Sequence, residues 1–444
     1  MYNYTDRDLF YVDGTYKQIL IICAPLEEEG EPFTLTNADL EEESFEYFDS
    51  IMNSESFTLA NCMCCYVRFV TYNTEETLIE RQISVYEVIE GDTENPIPIG
   101  LFTVKNDSIS TDGKTREIIA YDQMYDVINT NMTEWYNALS FPMTIKDLRD
   151  TFFEEFGIEQ DLSILINDDI SVPKQISEND IIYGDVIVKA IAELNCVFAH
   201  FDKQGILRWI SLDVGDPYSE PLYPSLTTFP GENTYPGRGY AGNLFNIYKA
   251  YHKEDSVVWA NYETLRADGV QLRNEYSEIA WQTNPTAGNP YTVIGNFLCY
   301  NLSAGQLQTI AERLYNKLRL ISYVPFQQTK MWDPCLEVGD RAVIFVKDNH
   351  ELVSYVFTKH ARGIQVPFED ITTKGSLYLS QYDVGQRTAA KNTQAKIKNL
   401  DNRVGNIERS GSGPLQIRSV AALPETVELN VLYLIQGEVE ILNE

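Results

Sequence analysis

The chain has 444 residues, enough for two to four domains with substantial cores. Its 66 Asp and Glu against 34 Lys and Arg give a formal net charge of −32. That balance excludes affinity built on neutralising nucleic-acid phosphates or an anionic membrane surface. Disorder does not account for the acidity, because 44% of residues are hydrophobic and 28 Tyr, 20 Phe and 5 Trp supply core-forming bulk. The N-terminus lacks the basic flank and apolar run of a signal peptide, and no stretch reaches the roughly 18 apolar residues that span a bilayer. Synthesis in a cytoplasm is expected, with the seven cysteines reduced and mostly buried.

In chain order, residues 1–128 predict a first β-barrel. Runs such as Gln18–Cys23, Met63–Thr71, Gln82–Val88, Ile99–Val104 and Arg116–Tyr121 are rich in Val, Ile, Thr and Tyr, with polar or Gly/Pro punctuation between them. Asp112-Gly113 between two such runs signals a hairpin. From Ile19 to Val67 there are eleven acidic residues and no Lys or Arg, centred on Glu27, Glu28, Glu29 and Glu41, Glu42, Glu43. Two readings of that stretch stand side by side: a solvated loop face, or a surface that repels something anionic.

Residues 129–214 together with 265–322 predict an α/β domain. Ile145, Leu148, Phe152 and Phe156 recur at helical spacing, with Thr144 able to cap and Gly157 able to terminate. A second helix over about Asp185–Leu194 leads into a hairpin through Asp202-Lys-Gln-Gly205. A third runs from Ser303 to about Leu320, with Ser303 and Gln306 in capping-box positions. Residues 215–264 together with 323–383 predict a second barrel, including Asn246–Lys253, Val257–Tyr262, Arg341–Val346 and Leu352–Lys359; the Pro- and Gly-rich segment between Gly215 and Gly242 reads as a long irregular connection.

Over 384–410, Ala390, Thr393, Ile397, Leu400, Val404 and Ile407 alternate spacings of three and four, a heptad seam of about two and a half repeats. The bland alternative is a helix packed on its own domain. Residues 411–444 read as a linker and a small β tip, two strands about Gln436-Gly437. The fold class expected is thus mainly β with α+β insertions: two tube-like β-barrels, an α/β domain between them, a short coiled coil and a mini β unit.

Searching for chemistry yields no catalytic motif. His200, His252, His350 and His360 lie too far apart for a local zinc scaffold, and Cys62, Cys64 and Cys65 would point to opposite faces of a strand. No nucleophile elbow, P-loop or dinucleotide fingerprint appears, so no catalytic, cofactor-binding or metal residue is assigned and no cofactor is expected.

Three stretches carry a resemblance. Ile99-Gly-Leu-Phe-Thr-Val104 followed by Glu117-Ile-Ile-Ala-Tyr-Asp122 resembles a "G-x-[FY]-x-V … I-x-A-x-D" barrel ending; Ala190–Leu207 resembles a helix with a "D-x-x-G-x-L" hairpin; Asp333-Pro-Cys-Leu-Glu-Val-Gly-Asp340 is similar to a "D-P-x-L-E-x-G-D" entry. In this order they resemble the central hub of a bacteriophage tail tip, a family related to the T4-type baseplate hub and found as the N-terminal portion of siphophage tail-associated lysozymes and prophage endopeptidase tail proteins. The resemblance spans about residues 1–383. It implies a homotrimeric virion structural protein at the distal end of the tail. Two barrels per subunit would match the sixfold tube above and present threefold symmetry below, and the ring would open for DNA ejection. Implied partners are the distal tail protein ring, the tape-measure C-terminus and tail fibre or receptor-binding proteins, with DNA only as passing cargo. The 390–407 seam would hold the trimer, and the Glu27–Glu43 acid is a candidate lumen lining. The hydrolase module of the family is not evident, so no enzyme is expected; the alternatives are a receptor-binding or fibre-attachment tip protein, and a peptidoglycan hydrolase.

Overall fold

The computed structural model describes residues 15–25, 31–52, 57–161, 163–176, 180–212, 244–247, 252–260, 263–264, 266–345, 351–364, 367–375, 416–420 and 431–435. The chain divides into compact units of residues 1–379 and 380–444.

In the first unit the initial strands are β1 (Lys17–Cys23), β2 (Phe33–Leu35), β3 (Glu46–Ser50), β4 (Tyr66–Thr71), β5 (Gln82–Ile89), β6 (Ile97–Ile109) and β7 (Arg116–Tyr121). A helical region follows with α1 (Met124–Asn129), α2 (Thr133–Ala138), the short β8 (Met143–Thr144), α3 (Ile145–Glu155), β9 (Ser171–Val172), α4 (Gly184–Asn195), and the hairpin β10 (Phe198–Phe201) and β11 (Leu207–Ile210). Then come β12 (Leu244–Ile247), β13 (His252–Trp259), β14 (Gly269–Arg273), β15 (Ile279–Gln282), β16 (Pro290–Val293), α5 (Ala304–Leu318), β17 (Phe326–Met331), β18 (Arg341–Phe345), β19 (Glu351–Tyr355), β20 (Thr358–Arg362) and β21 (Phe368–Thr373).

The helices form where period and caps place them. Thr144 Oγ1 accepts from Asp147 N at 3.0 Å to start α3, Gly157 at φ +63° ends it, and Ile145, Leu148 and Phe152 are buried. Ser303 and Gln306 form a reciprocal capping box on α5, whose Leu307, Ile310, Leu314 and Leu318 face inward. With α4, these helices pack in one core with Val270, Leu272 and Val293 of the three-stranded sheet β15-β14-β16.

Most of the strands expected in two separate barrels lie instead in one sheet of eleven, ordered β13-β17-β21-β20-β3-β4-β7-β6-β5-β1-β2, while β12, β18 and β19 form a small sheet of their own, with no closed barrel among the described residues. The physical reason is one ladder: β3 and β20 pair antiparallel over Glu46–Ser50 and Thr358–Arg362. Each side keeps its own apolar core. Ile19, Ile21, Val67, Phe69, Val85 and Val104 fill one, and Val257, Phe326, Ala342, Ile344 and Ile371 the other. Trp332 crosses over: it follows β17 yet sits fully buried in the first core, stacked at 6.0 Å on Phe45 and 6.2 Å on Tyr47.

Charge is also buried beside the join. Lys330 on β17, Lys359 on β20 and Glu369 on β21 are nearly fully buried; Glu369 Oε1 meets Lys330 Nζ and Oε2 lies 3.2 Å from Lys359 Nζ. Lys359 Nζ also donates to the carbonyls of Asp333 at 2.5 Å and Leu336 at 2.6 Å. Glu87 of β5 and Lys17 of β1 are buried within electrostatic reach of this group. Burial pushes Glu87 up to about 7, and neither of its carboxylate oxygens has a hydrogen-bond partner among the described residues.

Two local expectations are corrected. The Leu352–Lys359 run is two strands, because β19 turns out of the small sheet β12-β18-β19 and β20 enters the large one. The acid-rich segment holds β2 and β3. In the second unit, β22 (Gln416–Val420) pairs parallel with β23 (Val431–Ile435), the first strand of the expected hairpin about Gln436-Gly437, whose second strand lies outside the described residues.

Glu369→Gln leaves two buried ammonium groups with reduced compensation. It is expected to destabilise the first unit by about 3–5 kcal/mol, read as a lower urea midpoint; a loss below about 1 kcal/mol would show that the network does not hold β17, β20 and β21 together.

Candidate functional site

The three sequence motifs, far apart in the chain, line a single cavity of about 510 Å3. One wall comes from β3 and β6 (Tyr47, Asp49, Gly100, Phe102), with Cys65 and Asp122 beside them; the β10–β11 hairpin contributes His200, Asp202, Lys203 and Arg208; the loop before β18 contributes Glu337, Gly339 and Asp340, and β18 itself Arg341.

Each motif residue has a constructional task. A Cβ on Gly100 would come within 2.6 Å of the Phe102 ring, so glycine lets that ring fold back over the strand. Gly205, at φ +81°, closes the hairpin turn against Leu101. Asp202 Oδ1 accepts from the backbone N–H groups of Gln204 and Ile206, both at 2.9 Å, while Oδ2 accepts from Arg208 Nε at 2.7 Å. Asp122 accepts from Cys65 N at 3.0 Å and Met124 N at 3.1 Å, joining the approach to β4 to the start of α1. In the last motif Asp333 accepts from Cys335 N at 2.9 Å and Asp340 from Glu337 N at 3.0 Å, making successive tight turns. Gly339, at φ +83°, donates its N–H to Val356 O at 2.7 Å and packs against Ile210.

His200 stands at the centre. Its Nε2 lies 2.7 Å from Asp49 Oδ1, and Tyr47 Oη donates to the other oxygen at 3.1 Å. Burial works against the imidazolium, but Asp49, then Asp122 and Glu337, outweigh it and hold His200 at about 8. Burial likewise opposes ionisation of Asp49, and His200 more than offsets it, leaving Asp49 below its ordinary value. Asp122 is pushed up to about 7 and Asp340 to about 6, both by burial. Lys203 Nζ donates to Pro334 O and lies 4.0 Å from Glu337. An imidazole oriented by a carboxylate is half of a nucleophile-activating arrangement. The thiol lining the same cavity, Cys65, is held protonated by burial and by Asp49 and Asp122. Asp49, Asp122, Asp202 and Asp340 each accept from backbone donors, a tyrosine hydroxyl or a cation here.

Of the other candidates, Cys62 and Cys64 are half-buried and Cys65 buried, just ahead of β4. Burial raises all three thiols. Among the described residues no group of three or more His, Cys, Asp or Glu is placed to hold a metal ion. Glu41, Glu42 and Glu43 are exposed in the turn leading to β3, whereas Glu27, Glu28 and Glu29 lie outside the described residues. So does the whole seam Ala390, Thr393, Ile397, Leu400, Val404 and Ile407. No described helix is long and apolar enough to cross a membrane. Sequence reasoning missed the His200–Asp49 contact, since 151 residues separate the partners and Asp49 reads as one more acid in an acidic run.

Gly339→Ala places a Cβ 2.6 Å from Ile210 Cγ2 and strains a left-handed backbone, whereas Gly113→Ala, at φ +72°, meets nothing within 4 Å. The first is expected to cost about 2–4 kcal/mol and the second about 1 kcal/mol in thermal unfolding; equal losses would remove Gly339 from the junction's packing.

No protein-family model matches the chain, and no curated protein matches it in sequence. Among solved structures it is similar to the tail protein from Neisseria meningitidis MC58, at TM-score 0.46 and 11% identity over 82% of this chain and 98% of that one. It is also similar to the 43 kDa tail protein of prophage MuSo2 from Shewanella oneidensis, at TM-score 0.43 and 10% identity over 81% and 98%. A third is prophage tail protein gp18 from Listeria monocytogenes EGD-e, at TM-score 0.46 and 12% identity over 84% and 98%.

Proposed function

We propose that the chain is a structural hub of a phage tail tip. Three copies form a ring that closes the distal end of the tail tube, converts its sixfold symmetry to a threefold tip and lets DNA out. The observation that carries this reading is the meeting of the three hub-like motifs at one junction, where their glycines and carboxylates serve to join strand pieces. Distal tail protein and tape-measure C-terminus are the contacts the reading calls for. The 384–410 seam holds the three chains, as a/d positions do in a parallel coiled coil. Three copies triple a charge of −32, and carboxylates such as exposed Glu41, Glu42 and Glu43 would keep a passing duplex from sticking.

Mass photometry of the purified protein is expected to give a trimer and negative-stain images a ring, with deletion of residues 384–410 weakening the trimer but leaving the first unit folded. A monomer at high concentration with no ring-shaped particles would overturn the reading. Changing Glu41, Glu42 and Glu43 together to Lys is expected to leave assembly intact and to create salt-sensitive DNA retention; unchanged DNA passage would remove these residues from the path.

A further inference from the structure

The cavity gathers charge in an uneven way that the construction of the junction does not require. His200 on the β10–β11 hairpin is within electrostatic reach of three carboxylates from three different elements: Asp49 on β3, Asp122 just after β7 and Glu337 in the loop before β18. Asp49 belongs to the strand that fuses the two halves of the sheet, directly opposite Lys359 in the ladder. The His200 side chain is 12% exposed and that of Asp49 4%, so their 2.7 Å contact is formed out of bulk water, while the open cavity beside it gives protons a route in. We propose that His200 is a proton-operated latch: protonated, it clamps the β10–β11 hairpin to both halves of the sheet, and its deprotonation leaves Asp49, Asp122 and Glu337 facing one another and loosens the hairpin.

Among the described residues, the other charged groups that line the cavity modulate the latch without replacing it. On β3, Tyr47 donates to Asp49, and Lys359 adds a favourable but more distant charge. On the hairpin itself, Arg208 is committed to Asp202, and Lys203 to Pro334 O and Glu337. Asp340 and Arg341 close the far side, and buried Cys65 faces both Asp49 and Asp122. With the imidazole neutral, Lys203 still serves Glu337 and Lys359 still serves Asp49, so the hairpin loosens and the sheet stays folded.

The sign follows from linkage. His200 is held at about 8, above its ordinary 6.5, so its contribution is complete below pH 6.5 and is lost as pH rises through 8. Asp122, held at about 7 above its ordinary 3.8, acts in the same direction: the fold favours its neutral form, and each step up in pH adds a charge the cavity disfavours. The junction is therefore tightest in mild acid, the reverse of the usual carboxylate-driven acid loss.

Hydrogen exchange of the full-length protein, corrected for the intrinsic pH dependence of exchange, tests this at pH 6.0 and pH 9.0. The amides of Phe198–Phe201 and Leu207–Ile210 are expected to lose protection on the order of tenfold at the higher pH, while β4–β7 amides do not change. His200→Gln keeps a hydrogen-bond donor without a titrating charge, so the hairpin should be looser at pH 6.0 and its difference between the two pH values should shrink to the part that Asp122 contributes. Asp122→Asn removes one opposing carboxylate and should retain more protection than wild type at pH 9.0. Equal hairpin protection at both pH values in wild type would overturn the latch. So would an unchanged pH dependence in His200→Gln or, should that variant not fold, in Asp122→Asn.

Discussion

One antiparallel ladder, β3 against β20, sets the architecture of the first unit. Its partners lie more than three hundred residues apart in sequence, Ser50 facing Thr358 and Glu46 facing Arg362. Closing such a loop is costly in entropy and must be repaid by what the closure buries. Tyr47 and Asp49 on one strand, Lys359 and Ala361 on the other, all turn to the interior. Around them collect the features that distinguish this protein: Trp332 inserted into the opposite core, the Lys330–Glu369–Lys359 network, and the cavity centred on His200.

The buried charges give the join specificity at a cost in stability. Ion pairs taken out of water are weak sources of net stability, yet leaving one partner alone is expensive. Strands joined through Glu369 and Lys359 therefore tolerate few alternative registers: slipping β20 by one residue would turn Lys359 to the outer face and strand the carboxylate. A join that carried only apolar side chains would bind more tightly and discriminate less. The outer face shows the complementary pattern. There Phe48 stacks on Tyr66, Tyr66 meets Tyr121 at a tilt across the next strand pair, and His360 meets Glu46 at 2.6 Å, so both faces of the ladder are cross-braced.

Much of the helical region is legible in the sequence because its signals are local. Thr144 and Gly157 bound α3, the Ser303–Gln306 box opens α5, and Asp202 to Gly205 make a turn wherever they occur. The ladder is legible nowhere in the sequence. Glu46-Tyr47-Phe48-Asp49-Ser50 does not alternate apolar with polar, because the buried face carries Asp49 for His200 and the outer face carries Phe48 for Tyr66. Glu41, Glu42 and Glu43 just before it hide a strand inside an acidic run. The expectation of two separate barrels follows from counting strands on each side without any means of seeing that the inner edges of the two groups meet. The junction motifs were visible as residues, but their convergence depends on contacts between Gly339 and Ile210 and between Gly205 and Leu101, which no spacing encodes.

Whether the two halves of the sheet are one cooperative unit is answered most directly by native-state hydrogen exchange as a function of denaturant, resolved to the amides of β3 and β20. The ladder as described requires both strands to exchange only through a common global opening, with matching free energies and denaturant dependence. If β20 exchanges through a smaller opening that leaves β3 protected, the halves are separate bodies in contact, and the account of the join is wrong.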